Sequence, residues 1–255
     1  MKLRLMTYNV HRCVGVDRRL DVERVAEVIA ACEADVVALQ ELDVGRRRTG
    51  GVDQAHRLAE LLRMKSHFHP AMTVEEERYG DAILTALPER LVRAGALPGL
   101  PRARGLEPRG ALWVAVEVGG VELQVINTHL GLVPQEQQAQ AAALIGGQWM
   151  ASDAFTGPAV LLGDFNATPF SRAYRILAAV LRDAQDGIGR PPTATFPSAF
   201  PFLRIDHVFL AGDIIPRAIV SPFDPRARVA SDHLPLVADL EIVRPEPAES
   251  GPAAP

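Results

Sequence analysis

Apolar residues alternate with polar ones, or form short continuous runs, in many segments of the chain, which is typical of β-strands. The clearest example is residues 111–130, ALWVAVEVGGVELQVINTHL, in which two alternating runs flank Gly119 and Gly120. A Gly-Gly pair between two such runs predicts a tight hairpin turn, and therefore two antiparallel strands. The same patterning predicts further strands over residues 3–10, 35–41, 67–74, 81–87, 159–166, 204–210, 218–222 and 234–243.

Other segments repeat their apolar residues every three or four positions, which predicts helices over residues 21–32, 53–64, 136–150 and 171–183. Asp21 is suited to cap the first helix, because its side chain can accept a hydrogen bond from the first turn. The apolar faces of the first two helices are expected to contain Val22, Val25, Val28 and Ile29, and Leu58, Leu61 and Leu62, respectively. Helices interspersed with strands, together with a hairpin, predict one α/β domain with a mixed sheet or a pair of sheets.

The predicted domain covers residues 1–243, and no interior stretch resembles a linker. The chain has 255 residues, of which 48% are hydrophobic and 23% charged, an ordinary balance for a globular protein that can bury a sizeable core. Trp113 and Trp149 lie in strand and helix patterns and are expected in that core. Residues 244–255 are rich in Pro, Ala and Glu, which predicts a disordered tail.

Cysteine usage and charge restrict the compartment and the partners. Cys13 and Cys32 do not form a C-x-x-C pair, so we expect two reduced, buried thiols in a cytoplasmic protein. The N-terminus lacks the pattern of a signal peptide, and no run reaches the roughly 18 apolar residues that a membrane span needs. A formal net charge of -4 gives no overall attraction to nucleic acid or an acidic membrane, although a bound cation could reverse the sign locally. No obligate protein partner is indicated.

Polar residues with catalytic or ligating side chains lie at or next to strands in six separate segments. They are Asn9 and His11, Glu41, His129, Asp164 and Asn166, Asp206, and Asp232 and His233. A single carboxylate after a strand is usually a turn former or a helix cap. Six such segments point to a site, because burying unpaired carboxylates is costly unless something compensates for their charge. A metal ion is the usual compensation, and ligand sites cluster beyond strand ends in α/β sheets.

The candidate ligands offer hard oxygen donors and no thiolate, since they come from Asn9, Glu41, Asp164 and Asp232. This set favours Mg²⁺, with Mn²⁺ as a possible substitute, over Zn²⁺. Because Mg²⁺ usually takes only one or two carboxylates and pairs with a phosphate, the other acidic groups are free for catalysis. Asp164 could then orient or deprotonate an attacking water molecule.

The remaining candidates can position groups or stabilise charge. Asp206 could hold the imidazole of His233 in one tautomer, and Asn166 and His129 could donate hydrogen bonds to developing charge. The chain contains no G-x-S-x-G, no Walker-type G-x-x-x-x-G-K-[ST] and no H-E-x-x-H motif. The predicted nucleophile is therefore water.

Short motifs follow one another in a particular order: TYNVH (7–11), QE (40–41), NTHL (127–130), GDFN (163–166), RIDHVF (204–209) and SDHLP (231–235). In this order they resemble the endonuclease/exonuclease/phosphatase superfamily of DNase I-like enzymes. The resemblance extends from Thr7 to Pro235, nearly the whole chain. It implies a four-layer α/β/β/α sandwich of two mixed, mainly antiparallel sheets, and Mg²⁺-dependent hydrolysis of phosphoesters.

The resemblance also implies a role for each candidate residue. Glu41 resembles the principal metal ligand, with Asn9 and Asp232 close by. Asp164 resembles the base that orients water, and Asn166 resembles a stabiliser of the pentacoordinate phosphorus. The histidines that contact phosphate correspond to His129 and to His233, which Asp206 backs, and further phosphate contacts correspond to Tyr79 and Arg109. Two positions depart from the pattern: His11 stands where repair nucleases carry an acidic residue, and Asp81 stands where the family often has asparagine or a small residue.

Two interpretations remain open for the arginine run Arg46, Arg47 and Arg48 and for the pair Arg102 and Arg104. They lie in solvated loops, or they clamp substrate phosphate at the rim of the site. The first candidate substrate is a small-molecule or lipid-like phosphodiester, because the chain lacks a basic stripe. The alternatives are nucleic acid, cleaved by a DNase-like surface, and a catalytically inactive binding module on the same scaffold.

Overall fold

The structure is a computed structural model in which residues 1–100, 105–186, 188 and 191–243 are described. Two six-stranded sheets form its centre. The first sheet contains β1 (Lys2–Asn9), β2 (Val36–Val44), β3 (Lys65–Val74), β4 (Glu77–Thr85), β11 (Ile214–Val220) and β12 (Leu236–Ile242). The second contains β5 (Glu89–Ala96), β6 (Gly110–Val118), β7 (Val121–His129), β8 (Ala159–Asp164), β9 (Arg182–Asp183) and β10 (Asp206–Ala211). The helices are α1 (Val22–Ala31), α2 (Gln54–Leu62), α3 (Pro134–Leu144), α4 (Arg172–Ala178) and α5 (Ala227–Ala230), with 3₁₀ turns at His11–Cys13 and Arg47–Thr49.

Both sheets are mixed and mainly antiparallel, as predicted. The first has the strand order β11-β12-β1-β2-β4-β3, and its parallel contact is between β1 and β2. The second has the order β5-β6-β7-β8-β10-β9, and its parallel contact is between β7 and β8. The other strand pairs within the described ranges are antiparallel. The hairpin predicted at Gly119 and Gly120 joins β6 to β7.

The two sheets pack face to face, and helices cover their outer faces. Successive side chains of a strand point to opposite faces. Along β1, Leu3 and Leu5 therefore belong to the core between the sheets, whereas Met6 and Tyr8 pack with α1 and α2 on the outside. In the second sheet, Trp113 packs on the outer side with α3 and α4. These layers confirm the predicted α/β/β/α sandwich.

Two buried amide side chains connect the sheets close to the ends of β1 and β7. Asn127 in β7 donates through Nδ2 to the carbonyl oxygens of Leu39 and Ala82, both at 2.9 Å. Gln40 in β2 donates through Nε2 to Asn127 Oδ1 at 2.7 Å and to Thr7 Oγ1 at 3.0 Å. Because buried polar groups are costly unless they are paired, these bonds fix one position of the second sheet against the first.

The helices agree with the sequence pattern except at their edges. Asp21 caps α1 by accepting a hydrogen bond from the backbone N–H of Arg24, as predicted. The expectation that Leu61 belongs to the apolar face of α2 is wrong, because its side chain is 38% exposed. Leu58 is fully buried and Leu62 packs against the core, so the buried stripe follows the spacing of four residues and leaves Leu61 at its margin.

Helices α3 and α4 end earlier than the sequence pattern predicts, at Leu144 and Ala178 rather than at residues 150 and 183. Cys13 and Cys32 are free and buried, and Trp113 and Trp149 are both in the core, as expected. The predicted tail, residues 244–255, and the arginines Arg102 and Arg104 lie outside the described residues. Within the described ranges, no helix combines the length and the apolar character needed to cross a membrane.

We predict that Asn127→Ala lowers the free energy of unfolding by about 2–4 kcal/mol, because two buried carbonyl groups and the Gln40 amide lose a partner. Urea denaturation measures the change. Gln138→Ala is the matched control, because its amide makes an exposed bond to the Pro134 carbonyl. Equal stability of the two variants would contradict the bridging role of Asn127.

Candidate active site

One cavity of about 560 Å³ brings most of the predicted site residues together. Its lining includes Glu41, Tyr79, Arg109, His129, Asp164, Asn166, Asp232 and His233. The remaining predicted residues, Asn9 and Asp206, are buried behind it and hydrogen-bonded to residues of the lining. Side chains from residue 9 to residue 233 therefore form a single cluster.

Glu41 is presented by a bulge in β2. The register against β4 shifts between Leu39 and Leu42, and Glu41 has a φ of 63°, in the left-handed region. Asn9 Nδ2 donates to Glu41 Oε1 at 3.0 Å, and the backbone N–H of Glu41 donates to the carboxylate of Asp81. A left-handed non-glycine residue costs about 1–2 kcal/mol, so these contacts must hold it in place. The bulge directs the Glu41 side chain at the cavity.

Asp164, the last residue of β8, is buried between two imidazoles. Its Oδ1 accepts the backbone N–H of Asn166 at 2.9 Å, and its Oδ2 accepts Nδ2 of Asn9 at 3.0 Å. The same Oδ2 lies 3.4 Å from His129 Nε2 and 3.6 Å from His233 Nε2. Burial raises the pKa of Asp164 above its usual value, although the charge of His233 opposes the shift.

His233 forms the pair with Asp206 that the sequence predicts. Asp206 Oδ2 lies 2.8 Å from His233 Nδ1 and accepts a hydrogen bond from Thr195 Oγ1 at 2.5 Å. The ring of Phe196 packs on the imidazole, with centroids 4.8 Å apart. Burial by itself lowers the pKa of His233, but the carboxylates of Asp206 and Asp164 outweigh it and raise the pKa above its usual value. His233 is therefore a cation at neutral pH.

His129, at the end of β7, is neutral and has a donor beside each ring nitrogen. Arg109 Nη1 lies 3.0 Å from Nδ1 and Asn166 Nδ2 lies 3.1 Å from Nε2; both groups only donate, so the neutral ring can accept from one of them at a time. Burial lowers the pKa of His129 well below its usual value, and Arg109 and His233 reinforce the shift. Asn166, with a φ of 48°, places its amide nitrogen 3.1 Å from His129 Nε2 and 3.0 Å from the Leu130 carbonyl oxygen.

Two arginines of the lining are already paired with carboxylates. Arg109 Nη2 lies 3.3 Å from Glu107 Oε2. Arg48 makes two hydrogen bonds of 2.7 Å to the buried carboxylate of Asp43, and its Cζ lies 5.4 Å from the centroid of the Tyr79 ring. Burial raises the pKa of Tyr79, so its hydroxyl stays protonated.

The arginines of the run Arg46, Arg47 and Arg48 differ in their surroundings, and the two interpretations, a solvated loop and a clamp for substrate phosphate, do not apply to all three alike. Arg48 lines the cavity, whereas Arg46 lies 3.4 Å from Glu77 and the side chain of Arg47 is 93% exposed. The solvated-loop interpretation describes Arg47. Arg48 borders the site, but Asp43 holds its guanidinium.

The oxygen donors of the lining fit a hard divalent cation. Within the described residues, no Lys, Arg or His nitrogen lies within 4.0 Å of the Glu41 carboxylate, and Asp232 has only His11 Nδ1, at 3.9 Å. The Asn9 amide oxygen accepts the backbone N–H of His11 at 3.0 Å, which leaves it one further lone pair. Carboxylates that border a cavity without a counter-cation are the donor set that Mg²⁺ prefers.

A second group of possible ligands lies deeper, where atoms of Asp164, Asp206 and His233 are all within 4.8 Å of one another. These groups already bond to one another and to their neighbours. Asp206 Oδ2 lies 2.8 Å from His233 Nδ1 and accepts from Thr195 Oγ1, and Asp164 Oδ2 accepts from Asn9 Nδ2. This buried acidic and histidine group is therefore a hydrogen-bonded network beside the oxygen donors of the lining.

Several residues that the sequence did not single out support the site. Thr195 and Phe196 reach Asp206 and His233 from the loop that precedes β10, and no local motif marks them. The loop that carries Asn166 is held by Gln137, whose Nε2 donates to the Asn166 carbonyl at 2.7 Å.

The structure also shows where the two residues that depart from the family pattern, Asp81 and His11, lie. Asp81 is buried, and burial raises its pKa to about 7. His11 lines the cavity. His207 is buried, with Nε2 2.7 Å from the Ala167 carbonyl oxygen, and does not line the cavity.

Known proteins resemble this chain over nearly its full length. The family described as Endonuclease/Exonuclease/phosphatase matches residues 6–233. The uncharacterized protein YbhP of Escherichia coli strain K12 is 25% identical over 252 residues, which cover 94% of this chain and 96% of that protein.

Solved structures also superpose on the chain. One from Beutenbergia cavernae, described as an endonuclease/exonuclease/phosphatase, is 26% identical with a TM-score of 0.72 and covers 94% of this chain and 72% of its own. The human Nocturnin catalytic domain, solved with a bound sulfate anion, is 23% identical with a TM-score of 0.72, and 95% of each chain is covered.

The family match extends over most of the 255 residues and includes each motif from TYNVH to the histidine of SDHLP. The fold of the solved structures is the same pair of mixed sheets. The chain therefore belongs to the endonuclease/exonuclease/phosphatase family, and by family and fold it is a phosphoesterase, a hydrolase of phosphoric esters.

Proposed function

We propose that the protein is a Mg²⁺-dependent phosphodiesterase that cleaves a small-molecule or lipid-like substrate by in-line attack of water. One observation carries the proposal: the Asp164 carboxylate is fixed by Asn9 and Asn166 between His129 and His233. A base, two imidazoles and an unpaired ligand carboxylate thus meet in one cavity, which is the arrangement that metal-assisted hydrolysis needs.

Glu41 would hold the metal, together with Asp232 and the Asn9 amide oxygen. The absence of a cation within 4.0 Å of Glu41, among the residues described, supports this assignment. Mn²⁺ is a possible substitute, because it favours the same oxygen donors. Bound Mg²⁺ would neutralise charge on the phosphoryl oxygens and on the leaving alkoxide.

Asp164 is proposed to orient the attacking water and to take its proton. Burial raises its pKa, which makes the carboxylate a stronger base than an exposed one. The Asn9 and Asn166 bonds fix both carboxylate oxygens, so the direction of attack is set before substrate binds. The described lining of the cavity contains no serine or cysteine, which agrees with water as the nucleophile.

The two histidines are proposed to act on the phosphoryl group in different charge states. His233, cationic and oriented by Asp206, is suited to donate from Nε2 to a phosphoryl oxygen that gains charge in the transition state. His129 is neutral and is proposed to contact a phosphoryl oxygen without adding charge. Asn166 is proposed to stabilise the pentacoordinate phosphorus by donating a hydrogen bond to one of its oxygens.

The remaining contacts to phosphate are assigned to Arg109 and Tyr79. Both side chains are buried at the wall of the cavity, with 6% and 4% of their surface exposed. Burial keeps the Tyr79 hydroxyl protonated, so it can donate. Arg109 retains N–H groups beyond those that contact His129 and Glu107.

The shape of the cavity supports a small or lipid-like substrate. Its volume of about 560 Å³ is in the range of small-molecule sites. One exposed apolar side chain, Leu132, lines the cavity and is 70% exposed. An apolar arm of a phosphodiester would cover it, whereas a nucleic-acid backbone is normally met by unpaired Lys and Arg side chains.

We predict that Asp164→Asn and His233→Ala each lower kcat on a chromogenic phosphodiester by a factor on the order of 10²–10³ or more, because each removes a group that acts in the transition state. Steady-state kinetics with saturating Mg²⁺ measure the loss, and thermal unfolding checks that each variant is folded. Wild-type turnover in both variants would rule out the assignment.

We predict that Glu41→Gln weakens Mg²⁺ and Mn²⁺ binding by at least about tenfold, because a neutral amide replaces the carboxylate that has no counter-cation. Titration calorimetry measures the affinity, and EDTA is expected to abolish hydrolysis by the wild type. Glu117→Gln, an exposed position in β6, is the matched control. If the wild type binds neither ion, the inactive-module alternative replaces the hydrolase.

We predict that turnover of bis(p-nitrophenyl) phosphate changes little with ionic strength and exceeds turnover of duplex DNA. The paired arginines at the cavity leave few free cations to release counterions from a phosphate backbone. Activity assays on both substrates over a range of salt concentrations test this. Faster cleavage of DNA, with activity that falls steeply as salt rises, would establish the nuclease alternative.

A further inference from the structure

A left-handed turn without glycine forms one wall of the cavity. His11, Arg12 and Cys13 have successive φ values of 45°, 59° and 55°. Non-glycine residues in this region cost about 1–2 kcal/mol each, and three in succession are rare. Strain of this kind persists only where the surroundings impose it, and it is concentrated at functional sites.

Contacts on several sides impose this conformation. Gln54, buried at the start of α2, donates through Nε2 to the Arg12 carbonyl oxygen at 2.7 Å. Asn9 Oδ1 accepts the His11 backbone N–H at 3.0 Å, and the Cys13 side chain is fully buried in the core. None of these contacts uses the Arg12 side chain. The turn is thus fixed through its backbone, which leaves the side chains of His11 and Arg12 in the cavity lining.

His11 holds the Arg12 guanidinium in one orientation. His11 Nδ1 lies 3.1 Å from the Val14 carbonyl oxygen, which can only accept, so Nδ1 carries the ring proton. His11 Nε2 therefore accepts, and Arg12 Nη2 donates to it at 2.7 Å. The guanidinium is ordered by one of its five N–H groups and keeps the others for a ligand.

Arg12 is also the arginine of this wall whose charge is not balanced. Arg48 is paired with Asp43 at 2.7 Å, and Arg109 with Glu107 at 3.3 Å. For Arg12, no carboxylate oxygen of the described chain lies within 4.0 Å. An ordered guanidinium that borders a cavity without a counter-ion is suited to bind an anion, since it pairs with phosphate oxygens in a fixed geometry.

We propose that Arg12, oriented by His11, forms a subsite for a second phosphate group carried by the same small molecule as the scissile phosphoester. The subsite rests on the proposed function, because it places the scissile phosphate among Asp164, His129 and His233. The substrate class becomes a phosphodiester with an additional phosphate elsewhere in the molecule. Arg48 takes no part in this subsite, because Asp43 holds its guanidinium, and Arg109 is already assigned to the scissile phosphate.

The test measures binding of linear alkane bisphosphonates of increasing chain length, each against the monophosphonate of the same chain. Calorimetry on the full chain with saturating Mg²⁺ gives, for each pair, the ratio of the monophosphonate Kd to the bisphosphonate Kd. The comparison between variants removes any contribution from chelation of the metal, because that contribution is the same with and without Arg12.

We predict that, for at least one chain length, the ratio of monophosphonate Kd to bisphosphonate Kd is about tenfold or more larger in the wild type than in Arg12→Gln. A difference of this size is expected because the variant loses one charged hydrogen-bond pair. Arg12→Lys is expected to keep part of the gain, since it retains the charge without the planar fork. Arg18→Gln, an exposed arginine of the same loop, is the matched control and is expected to keep all of it. Thermal unfolding checks that the Arg12 variants are folded.

Equal ratios in the wild type and in Arg12→Gln at every chain length would overturn the subsite. The subsite would also be overturned if the wild type bound no bisphosphonate more tightly than the matching monophosphonate, a result that needs no variant. Because the readout is binding, the two proposals fail separately. A protein that hydrolyses diesters but shows no Arg12-dependent gain contradicts the subsite alone, whereas a gain in a protein without turnover contradicts the phosphodiesterase alone.

Discussion

The Asn9 side chain joins the two sheets at the edge where the site lies. Its two amide hydrogens go to carboxylates of different sheets, Glu41 on the first and Asp164 on the second, each at 3.0 Å. Behind it, Asn127 and Gln40 fix the same pair of sheets through buried bonds. Without these hydrogen bonds between the sheets, the site residues of β1 and β2 would have no defined position relative to the site residues of β7 and β8.

Charge balance explains why the cluster is stable with so many buried ionisable groups. The carboxylates of the second sheet, Asp164 and Asp206, lie beside the cation of His233, which comes from the loop that precedes β12 of the first sheet. The first sheet contributes Glu41, which has no cationic partner within 4.0 Å in the described chain. Leaving a carboxylate unpaired at a cavity is costly unless a ligand compensates for it. The imbalance supports the proposal that a cation binds beside Glu41.

Much of this architecture follows from local sequence signals. Gly119 and Gly120 between alternating runs predict the β6–β7 hairpin, and the polar residues at strand ends predict the cluster. These predictions depend on strand periodicity and on the shared edge of a sheet, which are properties that a sequence pattern records. The ordered motifs indicate Glu41, His129, Asp164, Asn166, Asp232 and His233 of the cavity lining, but not Arg12 or Phe196.

Other features depend on tertiary contacts that no local pattern records. Strand β5 was not predicted because it lies at the edge of its sheet, where most of its side chains are exposed and apolar alternation is lost. The bulge at Glu41 and the turn at Arg12 place non-glycine residues in left-handed conformations that their own sequence disfavours. Long-range partners impose them: Asp81 for Glu41, and Gln54 for Arg12.

The central claim is that both sheets supply one metal-dependent centre through Glu41 and Asp164. Anomalous diffraction from crystals grown with Mn²⁺ tests it most directly, because the signal locates the ion independently of activity. The account predicts a peak bound by the Glu41 carboxylate, inside the cavity that Asp164 and His233 border. A peak bound elsewhere, or a structure in which Glu41, Asp164 and His233 do not border one cavity, would contradict it.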